Sequence, residues 1–125
     1  TFNAVKMEMR LPLEDSDGVF TWELCDPARL LQLALAKALP LQKTFHVALQ
    51  AHRCDVESPW RLVVGFDEYC PGNKFSFEHH KKIMCLYFSF LELGQSELQS
   101  GASWLQPIAV RARECDRVDG GWSHM

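Results

Sequence analysis

The chain has no surplus of positive charge: 13 Lys and Arg stand against 16 Asp and Glu, a net charge of -3. A small protein that coats DNA or RNA through phosphate contacts needs the opposite balance. The deficit is even, with 6 basic and 8 acidic residues before Pro59 and 7 and 8 after it. Long apolar runs are missing too. Residues 30–39 and 83–93 contain Gln32, Lys37 and Glu92, and both stretches fall short of the roughly 20 residues that span a bilayer. No charged-then-apolar leader opens the chain, so no secretory signal is read. The first residue, Thr1, suggests a piece cut from something longer. There is no C-x-x-C: Cys25, Cys54, Cys70, Cys85 and Cys115 are scattered and odd in number. That spacing makes a poor disulfide framework and a poor zinc site. It points to free thiols in a reducing intracellular compartment, nuclear or cytoplasmic.

What is present reads as one α+β domain of 125 residues, with three segments. Residues 1–25 are a partly irregular lead-in, with Pro12 and the acidic run 14–18 read as a solvated turn. Residues 26–57 form a helical pair. Asp26-Pro27 starts the first helix, because Asp is a favoured N-cap and Pro at the first helical position loses no hydrogen bond. Pro40 stops or kinks it. A second helix over roughly 42–53 is read with Phe45, Ala48, Leu49 and Cys54 tracing one apolar face. Residues 58–125 form a three-stranded antiparallel meander. In its first strand, 60–67, Leu62, Val64 and Phe66 share one face and Val63, Gly65 and Asp67 the other. Residues 68–73 read as a turn around Pro71-Gly72. The run 82–91 is apolar on both parities, as expected of a strand buried on both faces, and its aromatic content favours strand over helix. Residues 92–101 read as a polar loop. A third strand over 103–113 carries Pro107, which cannot donate to a ladder, so it belongs at a sheet edge. The other side of the first strand has no evident partner in the chain.

Asp67 and Glu68, at the end of the first meander strand, are the candidate metal ligands. A carboxylate fixed on a strand suits Mg²⁺, a hard cation with oxygen ligands. Adjacent strand residues face opposite ways, so the two do not chelate one ion unless the strand breaks. The plainer alternative is a polar strand end entering a solvated turn.

The segments Trp60-Arg-Leu-Val-Val-Gly-Phe-Asp-Glu-Tyr-Cys-Pro-Gly-Asn-Lys74 and Lys81-Lys-Ile-Met-Cys-Leu-Tyr-Phe-Ser-Phe-Leu-Glu-Leu93, followed by 104–111, resemble a protein of mobile elements. They are similar to the start of the RNase H-like core of CACTA-type transposases. The order is an apolar strand with Asp, a short Pro/Gly-Asn-Lys segment, an aromatic strand, a polar loop and a third strand. The resemblance covers about half the chain. It implies that Asp67 corresponds to the first of three metal-binding acidic residues, that the parent protein binds DNA and Mg²⁺, and that a partial RNase H-like fold is present. The turn reads Cys-Pro-Gly-Asn rather than the family's Asn-Pro form, and the family's other acidic residues fall beyond Met125. Two-metal chemistry clamps attacking and leaving oxygens between cations about 4 Å apart, using carboxylates from several elements. This segment alone is therefore expected to be inactive as a nuclease.

Other chemistry finds little support. His79-His80 has no third ligand at metal-site spacing, and the cluster from His79 to Lys82 is a weak phosphate patch beside Glu78. His46 and His52 lack the i, i+4 spacing. Cys70 shows no paired histidine. No G-x-S-x-G occurs, and Gly120-Gly121 lacks the lysine and preceding strand of a phosphate loop. Trp22, Trp60, Trp104 and Trp122 read as core aromatics rather than base-stacking platforms. Arg111, Arg113 and Arg117 form a basic stripe diluted by Glu114 and Asp116. Two expectations of different class follow. One is an inactive fragment of a transposase-like protein. The other is a non-catalytic intracellular interaction domain whose open sheet edge receives a partner strand.

Overall fold

A computed structural model describes residues 2–13, 17–70 and 82–118. The described residues fold as α+β, with one two-stranded and one three-stranded antiparallel sheet. A single turn of helix, α1 (Phe2–Val5), leads into β1 (Lys6–Pro12), which pairs antiparallel with β2 (Val19–Cys25) from Lys6 opposite Cys25 to Pro12 opposite Val19. This hairpin corrects the expectation of a partly irregular lead-in over 1–25. Met7, Met9 and Leu11 alternate with Lys6, Glu8 and Arg10, and Phe20, Trp22 and Leu24 alternate with Val19, Thr21 and Glu23. Both strands thus carry the period of two that a half-buried ladder requires.

Asp26 caps α2 (Pro27–Lys37), its Oδ1 accepting from Ala28 N at 2.9 Å and Arg29 N at 3.2 Å. The first turn's free amides are thereby satisfied, and Pro27 has none to satisfy. The break before α3 (Leu39–Ala51) falls at Ala38, whose extended backbone (φ -105°, ψ 93°) ends one helix and starts the next. Pro40 lies in the first turn of α3. It opens the second helix rather than kinking the first, because that turn tolerates a missing N–H. Leu41, Phe45 and Ala48, at steps of four and three, are the buried face of α3.

The meander is β3 (Leu62–Tyr69), β4 (Ile83–Phe90) and β5 (Leu105–Arg111), in the order β3-β4-β5. The expected central aromatic strand and the edge position of the proline-bearing strand are both present. Against β4, Leu86 faces Ile108 while Phe88 faces Leu105. One β4 residue, Tyr87, thus stands opposite two of β5, a bulge at Gln106-Pro107. Proline sits where the ladder is already interrupted. Residues 92–101 are not an open loop. A 3₁₀ turn (Leu91–Leu93), a short helix α4 (Gln95–Gln99) and a second 3₁₀ turn (Gly101–Ser103) fill the connection. Gly94, at φ 92°, makes the corner between the first two, a conformation that favours glycine. Buried Ser89 donates to Ser103 O at 2.9 Å, and Ser103 donates to Glu97 O at 2.7 Å, tying this connection to β4. After β5, one turn of helix, α5 (Ala112–Cys115), returns toward the hairpin.

Two cores result. The hairpin contributes Leu11, Trp22 and Leu24 to a cluster with Val110, Cys115 and Val118, against which Met84 and Ile108 pack. The helices contribute Leu41, Phe45 and Ala48 to a second cluster, with Leu93, Trp60, Phe90 and Leu105. At its centre Phe45 lies 5.7 Å from Trp60 and 5.8 Å from Phe90, ring centre to ring centre, and Trp60 lies 5.9 Å from Phe90. Such ring pairs add about 0.5–1.5 kcal/mol each beyond burial. Among the described residues, no helix is long and apolar enough to cross a membrane.

Candidate functional site

The two cores cover the ends of one sheet face and leave β3 largely uncovered. The register sets Leu62, Val64 and Phe66 opposite Phe90, Phe88 and Leu86, so these six side chains share a face. On β4 this face is covered, with Phe88 buried and Leu86 and Phe90 half-buried. On β3 it is open: Leu62 is 57%, Val64 52% and Phe66 75% exposed. A groove of about 310 Å³ runs between the start of α2 and this face, and the described residues lining it are all apolar, including Pro27, Ala28, Leu31, Leu62, Val64 and Leu86. Among the described residues, β3 pairs with β4 alone, so its outer backbone edge has no strand partner. The alternation of β3 was legible in the sequence. That this apolar set stays more than half exposed is a property of the packing.

Asp67 and Glu68 do not end the strand, as the sequence suggested. Pairing continues through Tyr69 opposite Ile83, with Asp67 opposite Cys85 and Glu68 opposite Met84. An unbroken strand sends the two carboxylates to opposite faces. Glu68 is engaged by Lys82, whose Nζ lies 2.7 Å from its Oε1. Asp67 is exposed, and its Oδ1 accepts from the Glu68 backbone N–H at 2.7 Å. Among the described residues, no group of three or more His, Cys, Asp or Glu stands together to hold a metal ion. Among the described residues, Asp67 and Glu68 thus stand as separate carboxylates on opposite faces of β3.

Asp67 does border a cleft of about 470 Å³ with Gly65, Tyr87, Trp104 and Gln106. The Trp104 ring stands 3.8 Å from where a Cβ on Gly65 would lie, and its indole N–H donates to Leu98 O at 2.9 Å. The Tyr87 phenol is held above its ordinary pKa. Its hydrogen bond with the Cys85 side chain contributes most, followed by burial and the negative fields of Cys85 and Asp67. The sequence pointed to Asp67 but not to Tyr87, Trp104 or Gln106. These converge only because the 91–103 connection folds back over the sheet and the bulge re-aims β5.

The remaining candidates separate. His46 stands 3.2 Å from the Gln50 amide, and His52 caps α3 with its carbonyl accepting from the Trp60 indole at 3.2 Å. Trp22 and Trp60 belong to the cores. Arg113 and Arg117 both face Glu114, at 3.2 Å and 3.4 Å. All five cysteines are free thiols. The Pro71-Gly72 turn, His79 to Lys81, Gly120-Gly121 and Trp122 lie outside the described residues. No family model matches the chain, and no curated protein or solved structure is similar to it.

Proposed function

We propose that this chain is a non-catalytic interaction domain that receives an extended segment of a partner polypeptide along β3. The observation that carries the reading is the coincidence of a strand edge unpaired among the described residues with Leu62, Val64 and Phe66, all more than half exposed on one face. An added strand pairs its backbone with such an edge, and its alternate side chains continue the apolar face at the same period of two. The apolar groove beside α2 gives those side chains a place out of water. The five free thiols fit a reducing intracellular setting.

The test uses an eight-residue peptide of alternating valine and threonine, titrated into the isotope-labelled chain and followed by amide NMR. Shifts concentrated on β3 and the start of α2, lost in Val64→Lys, are expected. Shifts scattered over the surface, or none, overturn the reading. Concentration-dependent dimerisation through the same residues would instead identify a second copy as the occupant.

A second reading, the transposase-like fragment, is favoured by the strand order β3-β4-β5 with Asp67 near the end of β3. In that reading the open edge is where an RNase H-like sheet continues, and further carboxylates from the parent protein join Asp67 around Mg²⁺. A longer reading frame with a strand ending in Asp and a helix bearing Glu supports it. Equal Mg²⁺ or Mn²⁺ binding by that longer protein and its Asp67→Asn variant removes it.

A further inference from the structure

The β3 edge has a second face with a different chemistry. A strand laid along it sends alternate side chains beside Leu62, Val64 and Phe66, and the intervening ones beside Val63, Gly65 and Asp67. On this second side Asp67 makes no ion pair among the described residues, whereas Glu68 on the other face is neutralised by Lys82. The chain as a whole carries net charge -3.

Gly65 matters here for what it lacks. Neighbouring strands lie about 4.8 Å apart, so a side chain from an added strand meets Gly65 before it meets Tyr87, which pairs with Gly65 on β4. With no side chain on Gly65, a long residue has a path from the edge into the cleft. Trp104 walls that path, close against Gly65, and Asp67 stands at the next position on the same side. A carboxylate beside two aromatic rings is a setting for a cation: Coulomb attraction and the negative faces of the rings act together. Asp67 and Tyr87 line the same cleft.

Resting on the docking reading above, we propose that the segment received at β3 carries an arginine or lysine on its polar face, lying over Gly65 with Asp67 as its counter-ion and Trp104 as its wall. The partner is thus an extended segment that is apolar at alternate positions and cationic at one position between them.

The probes are two labelled eight-residue peptides of alternating valine and threonine, one with a central threonine replaced by arginine, the other by glutamate. Each is titrated by fluorescence anisotropy into the full chain, into Asp67→Asn and into Asp67→Lys. The wild type is expected to bind the arginine peptide about three- to tenfold more tightly than the glutamate peptide. Asp67→Asn should remove most of that preference and Asp67→Lys should reverse it. Asp67 is exposed on a paired strand, so both variants retain the fold, verifiable by circular dichroism. Equal binding of the two peptides, or a preference unchanged in Asp67→Asn, overturns the cationic assignment and leaves strand docking standing. Binding of neither peptide overturns both.

Discussion

Phe45 and Phe66 are the same residue in opposite circumstances, and truncating each tests whether the β3 face is open in solution. Phe45 is 9% exposed and sits against Trp60 and Phe90, whereas Phe66 is 75% exposed. A buried phenylalanine removes about 200 Å² from water. A quarter of that for Phe66 is about 50 Å², which at about 25 cal/mol per Å² amounts to about 1 kcal/mol. Phe66→Thr keeps a β-favouring residue and should cost about that much or less. Phe45→Ala loses nearly the whole area, leaves a cavity and breaks two ring contacts, so about 3–5 kcal/mol is expected. For a chain of this length, total stability is on the order of 6–19 kcal/mol, so the Phe45 variant loses a large part of it. Urea denaturation followed by tryptophan fluorescence, repeated at several protein concentrations, measures both costs. Comparable losses for the two variants would refute the reasoning. They would mean that Phe66 is covered in the folded protein, by more of the chain or by a second copy. A Phe66 cost that grows with protein concentration identifies the second copy.

Asp26→Ala removes the acceptor for two first-turn amides and should cost about 1 kcal/mol in urea denaturation, with Asp26→Asn recovering most of it. No loss in the alanine variant would show that the cap is immaterial. For Glu92, burial pushes the carboxyl pKa up, but the hydrogen bonds with Arg61 and backbone amides, together with the Arg61 charge, leave it below the ordinary 4.5. Its contribution is therefore present above about pH 4.5 and fades as pH falls through the lowered value. Glu92→Gln should be less stable than the wild type at pH 7, and the gap should close in acid; a pH-independent gap contradicts the ion-pair account. Exposed Cys54 should react with a disulfide reagent at pH 8 in the native protein, and Cys54→Ser should remove that fast phase. The Cys115 thiol, pushed up to about 11 first by burial and then by Asp116, should react only on unfolding. Rapid native labelling of Cys115 would show that the hairpin core opens.

Much of this architecture is legible in local chemistry. Asp26-Pro27 marks a helix start because capping depends on adjacent residues only, and the aromatic run of β4 marks an inner strand because apolar residues occur on both parities. The hairpin of residues 6–25 is written just as regularly, in Met7, Met9 and Leu11 and in Phe20, Trp22 and Leu24. Methionine is not a β-branched or aromatic strand former, however, and the acidic run after Leu13 reads as coil. Pro40 is ambiguous for a related reason: a proline both ends one helix and suits the first turn of the next, and Ala38 decides between them. Strand length misplaced Asp67. Pairing with Ile83 carries β3 through Tyr69, and cross-strand hydrogen bonds outweigh the turn preference of the Pro-Gly sequence that follows. The cleft was not legible, since Trp104 meets Gly65 only through the folded 91–103 connection.

The bulge at Gln106-Pro107 gives the three-stranded sheet an asymmetry with consequences for assembly. On one flank, a missing amide and an irregular register deny an incoming strand a continuous template; on the other, eight residues of β3 offer one. Head-to-tail stacking of sheets needs two compatible flanks on every copy, and its natural outcome is a fibre. A sheet with a single receptive flank has a valence of one. In the docking reading proposed for β3, it closes into pairs, with a ligand or with itself, and growth ends there.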